Sequence, residues 1–235
     1  MATQRSPALV LHVRPYRESS ALVQFFTRDV GRVVAVMHGV RGDKRRHTVQ
    51  PFMAGELILV GRGSLQTVRT FDVTARFDLR GDALSGGFYV LELVTRVVDE
   101  RQSEAQLFHL LVEVLTDLQS IEVSRALSAR LRVFEHQLLM LLGFSIDFSR
   151  DEQGAPLIAA EHYRFDAELG LQRTHAEHAE AVSGHLLLAI GAANYAEAGA
   201  AGAARKIFAQ ALQPLIGSKP LFSRTLLAPM AGTDG

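Results

Sequence analysis

The spacing of apolar residues changes period near position 80, and no other feature of the chain narrows its possible folds as much. Before that point apolar residues recur at every second position. Leu9, Leu11 and Val13 mark a strand over 8–14, because successive side chains of a strand point to opposite faces. Further strands are expected over 21–27 and 32–38, joined by a turn with Asp29 and Gly31, and over 56–60, 65–71 and 73–79. The link Gly61-Arg62-Gly63-Ser64 has the composition and length of a hairpin turn. Five or six short strands in this span call for a small barrel or sandwich, the OB-fold among them.

Past Asp82 the period becomes helical. Leu91, Val94 and Val98 share a face of a helix expected over 85–99. Ser103-Glu104-Ala105-Gln106 has the pattern of a capping box and predicts a second helix running to Leu118. A third, over 124–142, carries Leu127, Leu131, Phe134, Leu138 and Leu142 at spacings of three and four, with Gly143 placed to end it. Residues 144–172 read as irregular apart from a short hairpin over 163–172. Two more helices are expected over 175–192 and 200–213, and a disordered tail beyond Met230. The fold class is therefore α+β: a strand domain over 1–80, then a mostly helical domain over 81–235 with an irregular insert near 144–172.

Charge divides at the same place. Residues 1–80 hold 13 Lys or Arg against 6 Asp or Glu, a balance of +7; residues 81–235 hold 12 against 19, a balance of −7. Opposite signs suggest modules with different partners, the basic one suited to nucleic acid. With no Cys in 235 residues, a disulfide framework, a thiolate zinc site and a thiol nucleophile are excluded. Apolar runs such as 186–190 fall far short of the ~20 residues of a membrane span, and 9–11 leads at once into His12 and Arg14, leaving no signal-peptide core. The expectation is a cytoplasmic protein without a membrane partner.

Segment 40–47, Val-Arg-Gly-Asp-Lys-Arg-Arg-His, is the most informative. Its cations Arg41, Lys44, Arg45 and Arg46 sit on a link between strands, where long side chains can reach phosphates; Arg32, Arg62 and Arg69 extend the set. A solvated loop with surplus charge is the competing reading. Tyr16, Phe25, Phe26 and Phe52 are candidate stacking surfaces for bases, although each singly reads better as core. His175, His178 and His185 with Glu177 and Glu180 lack the spacing of a zinc hydrolase and read as a solvated helix start, so neither metal nor cofactor is expected. No phosphate-binding loop, nucleophile elbow or dinucleotide motif is present, and no enzyme activity is expected. Arg125, Arg130 and Arg132 stand out in the acidic half. Beside an apolar helix face they could receive a partner peptide's carboxylates, or could be surface cations paired with Glu135 or Glu122.

These pieces together resemble the bacterial recombination mediator family RecO. The resemblance rests on segment 11–20 (Leu-His-Val-Arg-Pro-Tyr-Arg-Glu-Ser-Ser), on Phe26-Thr27, Gly31-Arg32, Gly39-Val40-Arg41 and Gln50-Pro51-Phe52. It continues through Tyr89 to Leu93, Leu107-Phe108, Arg132 to Glu135, Leu142-Gly143-Phe144 and segment 217–224. It implies an N-terminal OB-fold and a helical domain that bind single- and double-stranded DNA, anneal complementary strands and, with RecR, load RecA onto DNA coated by single-stranded-DNA-binding protein. It also implies that the helical domain takes the coat protein's C-terminal tail, Arg132 matching the family's tail-binding Arg, while Arg32, Arg41, Lys44 and Arg45 fall in the basic barrel region. Many relatives carry four zinc-binding Cys after the third helix; this chain has none, so 147–172 must hold together without metal. The rival readings are another OB-fold adaptor for RNA or tRNA, and an enzyme using the His175–His178–Glu180 cluster.

Overall fold

The computed structural model describes residues 3–40, 49–61, 65–100 and 102–223. The described chain forms two compact units, Met1–Ser120 and Ile121–Gly235.

The first unit opens with five strands: β1 (Thr3–Tyr16), β2 (Ser20–Thr27), β3 (Gly31–Met37), β4 (Met53–Val60) and β5 (Gln66–Arg76). Their order is β1-β2-β3-β5-β4, and β1 pairs with β4 to close the ring. A single long strand does this by serving two neighbours. Its first half pairs with β4 and its second with β2, with a bulge between Val10 and His12 where the strand bends. Ala8, Val10, Val23, Phe25, Val33, Ala35, Leu57 and Leu59 alternate inward to fill the ring.

The other face is also covered in places. Leu9 and Phe26 point away from that interior yet are fully buried, for which the two helices α1 (Gly81–Val97) and α2 (Ala105–Leu118) are responsible. The Phe26 ring meets Phe108 of α2 at 6.1 Å, and Phe52 meets Phe88 of α1 at 4.9 Å. Sequence reading put a boundary at 80/81, where the period changes; these helices lie within the same compact unit as the strands.

Several expected elements come out differently. The two strands expected over 65–79 are one, β5, whose period is broken by bulges opposite Ile58/Leu59 and Ala54/Gly55. The capping box at Ser103 does not form. The N-cap of α2 is Glu104 without a side-chain bond, and the Ser103 hydroxyl instead donates to the Arg28 carbonyl at 3.0 Å.

The second unit holds α3 (Ser124–Leu141), a three-stranded sheet of β6 (His162–Asp166), β7 (Gly170–Thr174) and β8 (Val182–Ser183), and the helices α4 (Gly184–Gly191) and α5 (Ala200–Ile216). Phe134 and Leu138 of α3 and Phe208 and Leu212 of α5 are fully buried. Gly143 ends α3 at φ +82°, a conformation glycine adopts without cost. The helix expected over 175–192 is short: residues 176–180 are turns and a bend, and only 184–191 is helical.

The insert is organised by carboxylates. Asp147, Asp151 and Asp166 each accept two hydrogen bonds from groups two to four residues ahead, closing tight turns. Phe148 and Tyr163 anchor these turns in the core.

Candidate nucleic-acid interface

Arg41, Lys44, Arg45, Arg46 and Arg62 lie outside the described residues. Of the expected DNA-binding set, Arg32 and Arg69 fall among the described residues, and the structure gives them different surroundings.

Arg32 is largely enclosed. Its Nε donates to the Val98 carbonyl at 3.1 Å, its guanidinium lies 3.8 Å from Glu100, and its backbone bridges to Glu100. Beside it Gly31 (φ +82°) presses so closely on Gln102 that an added Cβ would lie 2.0 Å from the Gln102 carbonyl oxygen. Arg32 ties β3 to the segment linking α1 and α2; a phosphate would have to compete with that tie.

Arg69 has the opposite character. Val68 pairs with Leu59 and Thr70 with Ile58, so Arg69 is the extra residue of a bulge. It is exposed, and bulges re-aim side chains in this way. Exposed Arg14 on β1 was missed by sequence reasoning. Its signal was the alternation of His12, Arg14 and Tyr16, which share a strand face. Neither Arg14 nor Arg69 has an ion pair among the described residues.

Other cations are partly neutralised. Arg5 meets Glu56 at 3.1 Å and Arg28 meets Asp29 at 2.8 Å. The Arg28 hydrogen bond, aided by Ser6, holds the Asp29 carboxyl below its ordinary range. Glu56 and Asp72 stand directly opposite each other on β4 and β5.

The four aromatic candidates separate cleanly. Phe25 is core, edge-on to Phe71 at 5.2 Å; Phe26 is spent on Phe108 and Phe52 on Phe88. Tyr16 alone keeps part of its ring accessible, with the Arg17 guanidinium 5.2 Å above its centroid.

On α3 the expected cation trio is dispersed. Arg125 is exposed and donates to the Ala196 carbonyl, and Arg130 is half-buried. Arg132 is only 4% exposed and meets Glu135, 2% exposed, at 2.6 Å. The reading of Arg132 as a cation paired with Glu135 holds for the partner but not for the surface position, because Leu131 and Phe134 carry it inward with the helix's apolar face. Next to the pair, His136 Nδ1 lies 3.0 Å from the Tyr195 hydroxyl, with its ring against Phe148 and Phe208. Burial lowers the His136 pKa; burial, then the Glu135 charge, raises that of Tyr195.

The His175 segment is not a helix start. The His178 ring nitrogen accepts from the Glu180 N–H at 3.1 Å, and His185 faces Glu197 at 3.5 Å. Among the described residues no three or more His, Asp or Glu groups are arranged to hold a metal, and no helix is long and apolar enough to cross a membrane.

A ring of five strands followed by a helical unit is the architecture the sequence resemblance implied, and comparison with known families decides the matter. Residues 1–77 match the family described as Recombination protein O N terminal, and residues 79–217 match Recombination protein O C terminal. The chain belongs to the RecO family. The DNA repair protein RecO of Pseudomonas entomophila is 39% identical over 221 residues, covering 94% of this chain and 95% of that one. Those of Stutzerimonas stutzeri and Actinobacillus succinogenes are 37% and 34% identical, covering 96% and 93% of this chain and 94% and 93% of theirs. RecO membership places the chain among proteins of DNA repair and recombination, with an OB-like N-terminal sheet.

Proposed function

We propose that the chain binds single- and double-stranded DNA, anneals complementary strands and, with RecR, helps load RecA onto DNA coated by single-stranded-DNA-binding protein. The observation that carries this reading is the joint occurrence of RecO membership, an OB-like ring and a +7 balance over residues 1–80. Phosphate repulsion opposes annealing, and cations that displace counterions from both strands relieve it. Contacts to phosphate carry no sequence information, which suits repair at arbitrary sites. Arg14 and Arg69 are the exposed cations assigned to phosphate, with Arg41, Lys44, Arg45, Arg46 and Arg62 extending the set. Arg32 is assigned to holding β3.

The helical unit is the proposed dock for the coat protein's acidic tail, offering Arg125, Arg130 and Arg132. Arg132 is paired with Glu135 and Arg125 donates to the Ala196 carbonyl, so a tail carboxylate would compete with or add to those contacts. No step makes or breaks a covalent bond, so the role is that of an adaptor rather than an enzyme. Its place is the bacterial cytoplasm, at the nucleoid during repair.

The test is annealing of complementary strands covered by the coat protein. Acceleration by this chain is expected. No acceleration, together with preference for folded RNA, would replace the mediator with an RNA adaptor.

A further inference from the structure

We infer that Tyr16 and Arg17, at the tip of the β1–β2 hairpin, form a stacking step for an unpaired base of single-stranded DNA. The inference rests on the DNA-binding reading above and names a contact within it.

Three observations converge there. Of the four aromatic residues singled out from sequence, Tyr16 is the one whose ring is not consumed by the core. The guanidinium above it supplies a second flat surface, and both arginine planes and tyrosine rings stack on bases. Arg17 is exposed and has φ +53°, an uncommon conformation for a side chain other than glycine, asparagine or aspartate, and this turn holds it beside Tyr16.

The tip is also fixed in place. Tyr16 pairs with Ser20 across the hairpin, the Val40 N–H donates to the Ser19 carbonyl at 3.1 Å, and the Ser20 hydroxyl and His38 Nδ1 are 2.9 Å apart. A held tip loses little freedom when a base stacks on it, so more of the stacking energy appears as affinity.

Cations lie within reach. Arg14 shares the strand face of Tyr16 two residues away, about 7 Å along the chain, close enough to meet a phosphate flanking the stacked base. Glu18 is the one carboxylate in the tip. The bases of an intact duplex are already stacked and paired, so this step discriminates single strands from duplexes.

The test measures binding of the full chain to a labelled oligothymidylate and to a duplex of equal length across a salt series. Tyr16→Ala should weaken single-strand binding about five- to a hundred-fold, while duplex binding stays within two-fold. The salt slope should not change, since no phosphate contact is removed. Tyr16→Phe keeps the ring and should bind within two-fold of the unaltered chain. Intact single-strand binding in Tyr16→Ala, an equal loss on duplex, or an equal loss in Tyr16→Phe would each overturn the stacking step. If the unaltered chain binds no DNA, the reading beneath fails and this one fails with it.

Discussion

Arg132 and Glu135 lie one helical turn apart on α3, and both are enclosed. Removing one partner of such a pair takes away the contact that offsets a buried charge, which costs about 3–5 kcal/mol. Arg132→Ala should therefore lower the melting temperature by roughly ten degrees, at ~2–4 °C per kcal/mol for a chain of this size. Arg132→Met with Glu135→Leu should restore most of it, because no charge is then left behind. A melting temperature unchanged in Arg132→Ala would show that the pair is not enclosed in solution. Any loss of tail binding in that variant must accordingly be read against its fold. Glu135 at three residues' spacing was visible in the sequence as a partner; enclosure was not, because buried charges are rare and a cation between Leu131 and Phe134 reads as surface. His136 adds a pH dependence. Its folded pKa lies below the ordinary value near 6.5, so the unfolded chain takes up the proton first. The contribution is complete above about pH 6.5 and is lost as pH falls below it. Denaturant titrations at pH 7.5 and 5.5 should show a larger loss for the natural chain than for His136→Gln. Equal losses would remove His136 from the account.

At the scale of elements, strand periodicity was legible wherever one strand face meets solvent, and misleading where helices cover that face. Phe26 looked like a candidate for base stacking because nothing in a strand's sequence announces that α2 will lie over it. β5 was divided in two because its bulges break the period of two. The 144–172 insert is closed by turn chemistry. Asp151 accepts from the N–H groups of Gln153 and Ala155, at 3.0 and 2.9 Å. Asp151→Ala leaves both donors without that partner and should cost about 0.5–2 kcal/mol, the range seen when a helix cap is removed. Hydrogen exchange should speed up at residues 150–157 while α3 and α5 remain protected. Chelator should change neither the melting temperature nor annealing, since Asp turns and the Phe148 and Tyr163 anchors hold this region. Stoichiometric zinc in the purified protein, or melting shifted by chelator, would contradict that account.

Over the whole molecule, the proposed DNA binding makes the charge asymmetry the source of a salt dependence. Each phosphate contact to a single strand contributes about 0.7 to the log–log slope of affinity against salt. Arg14→Ala with Arg69→Ala should flatten that slope by about 1.4 in total while leaving the melting temperature within a degree or two. Arg32→Ala should do the reverse. It removes the bond to Val98 and the contact with Glu100, so the fold loses stability and the slope stays put. An unchanged slope in the double variant would remove these two cations from the interface, and a flattened slope in Arg32→Ala would return Arg32 to it.

The sequence alone determined the order of strands then helices, the family and the sign of each half, because periodicity, motif order and charge are properties of neighbours along the chain. It also determined that the insert uses no thiolate, since the chain has no Cys. Only the tertiary structure decided what each cation and ring touches. Arg32 and Arg69 are alike in sequence; the first is drawn onto the carbonyl after α1, the second is lifted outward by a bulge. Tyr16 and Phe25 both sit on strands of the same ring, yet one faces the interior and the other sits at a hairpin tip. Burial depends on residues far apart in sequence that folding brings together, and that information does not reside in any short stretch of chain.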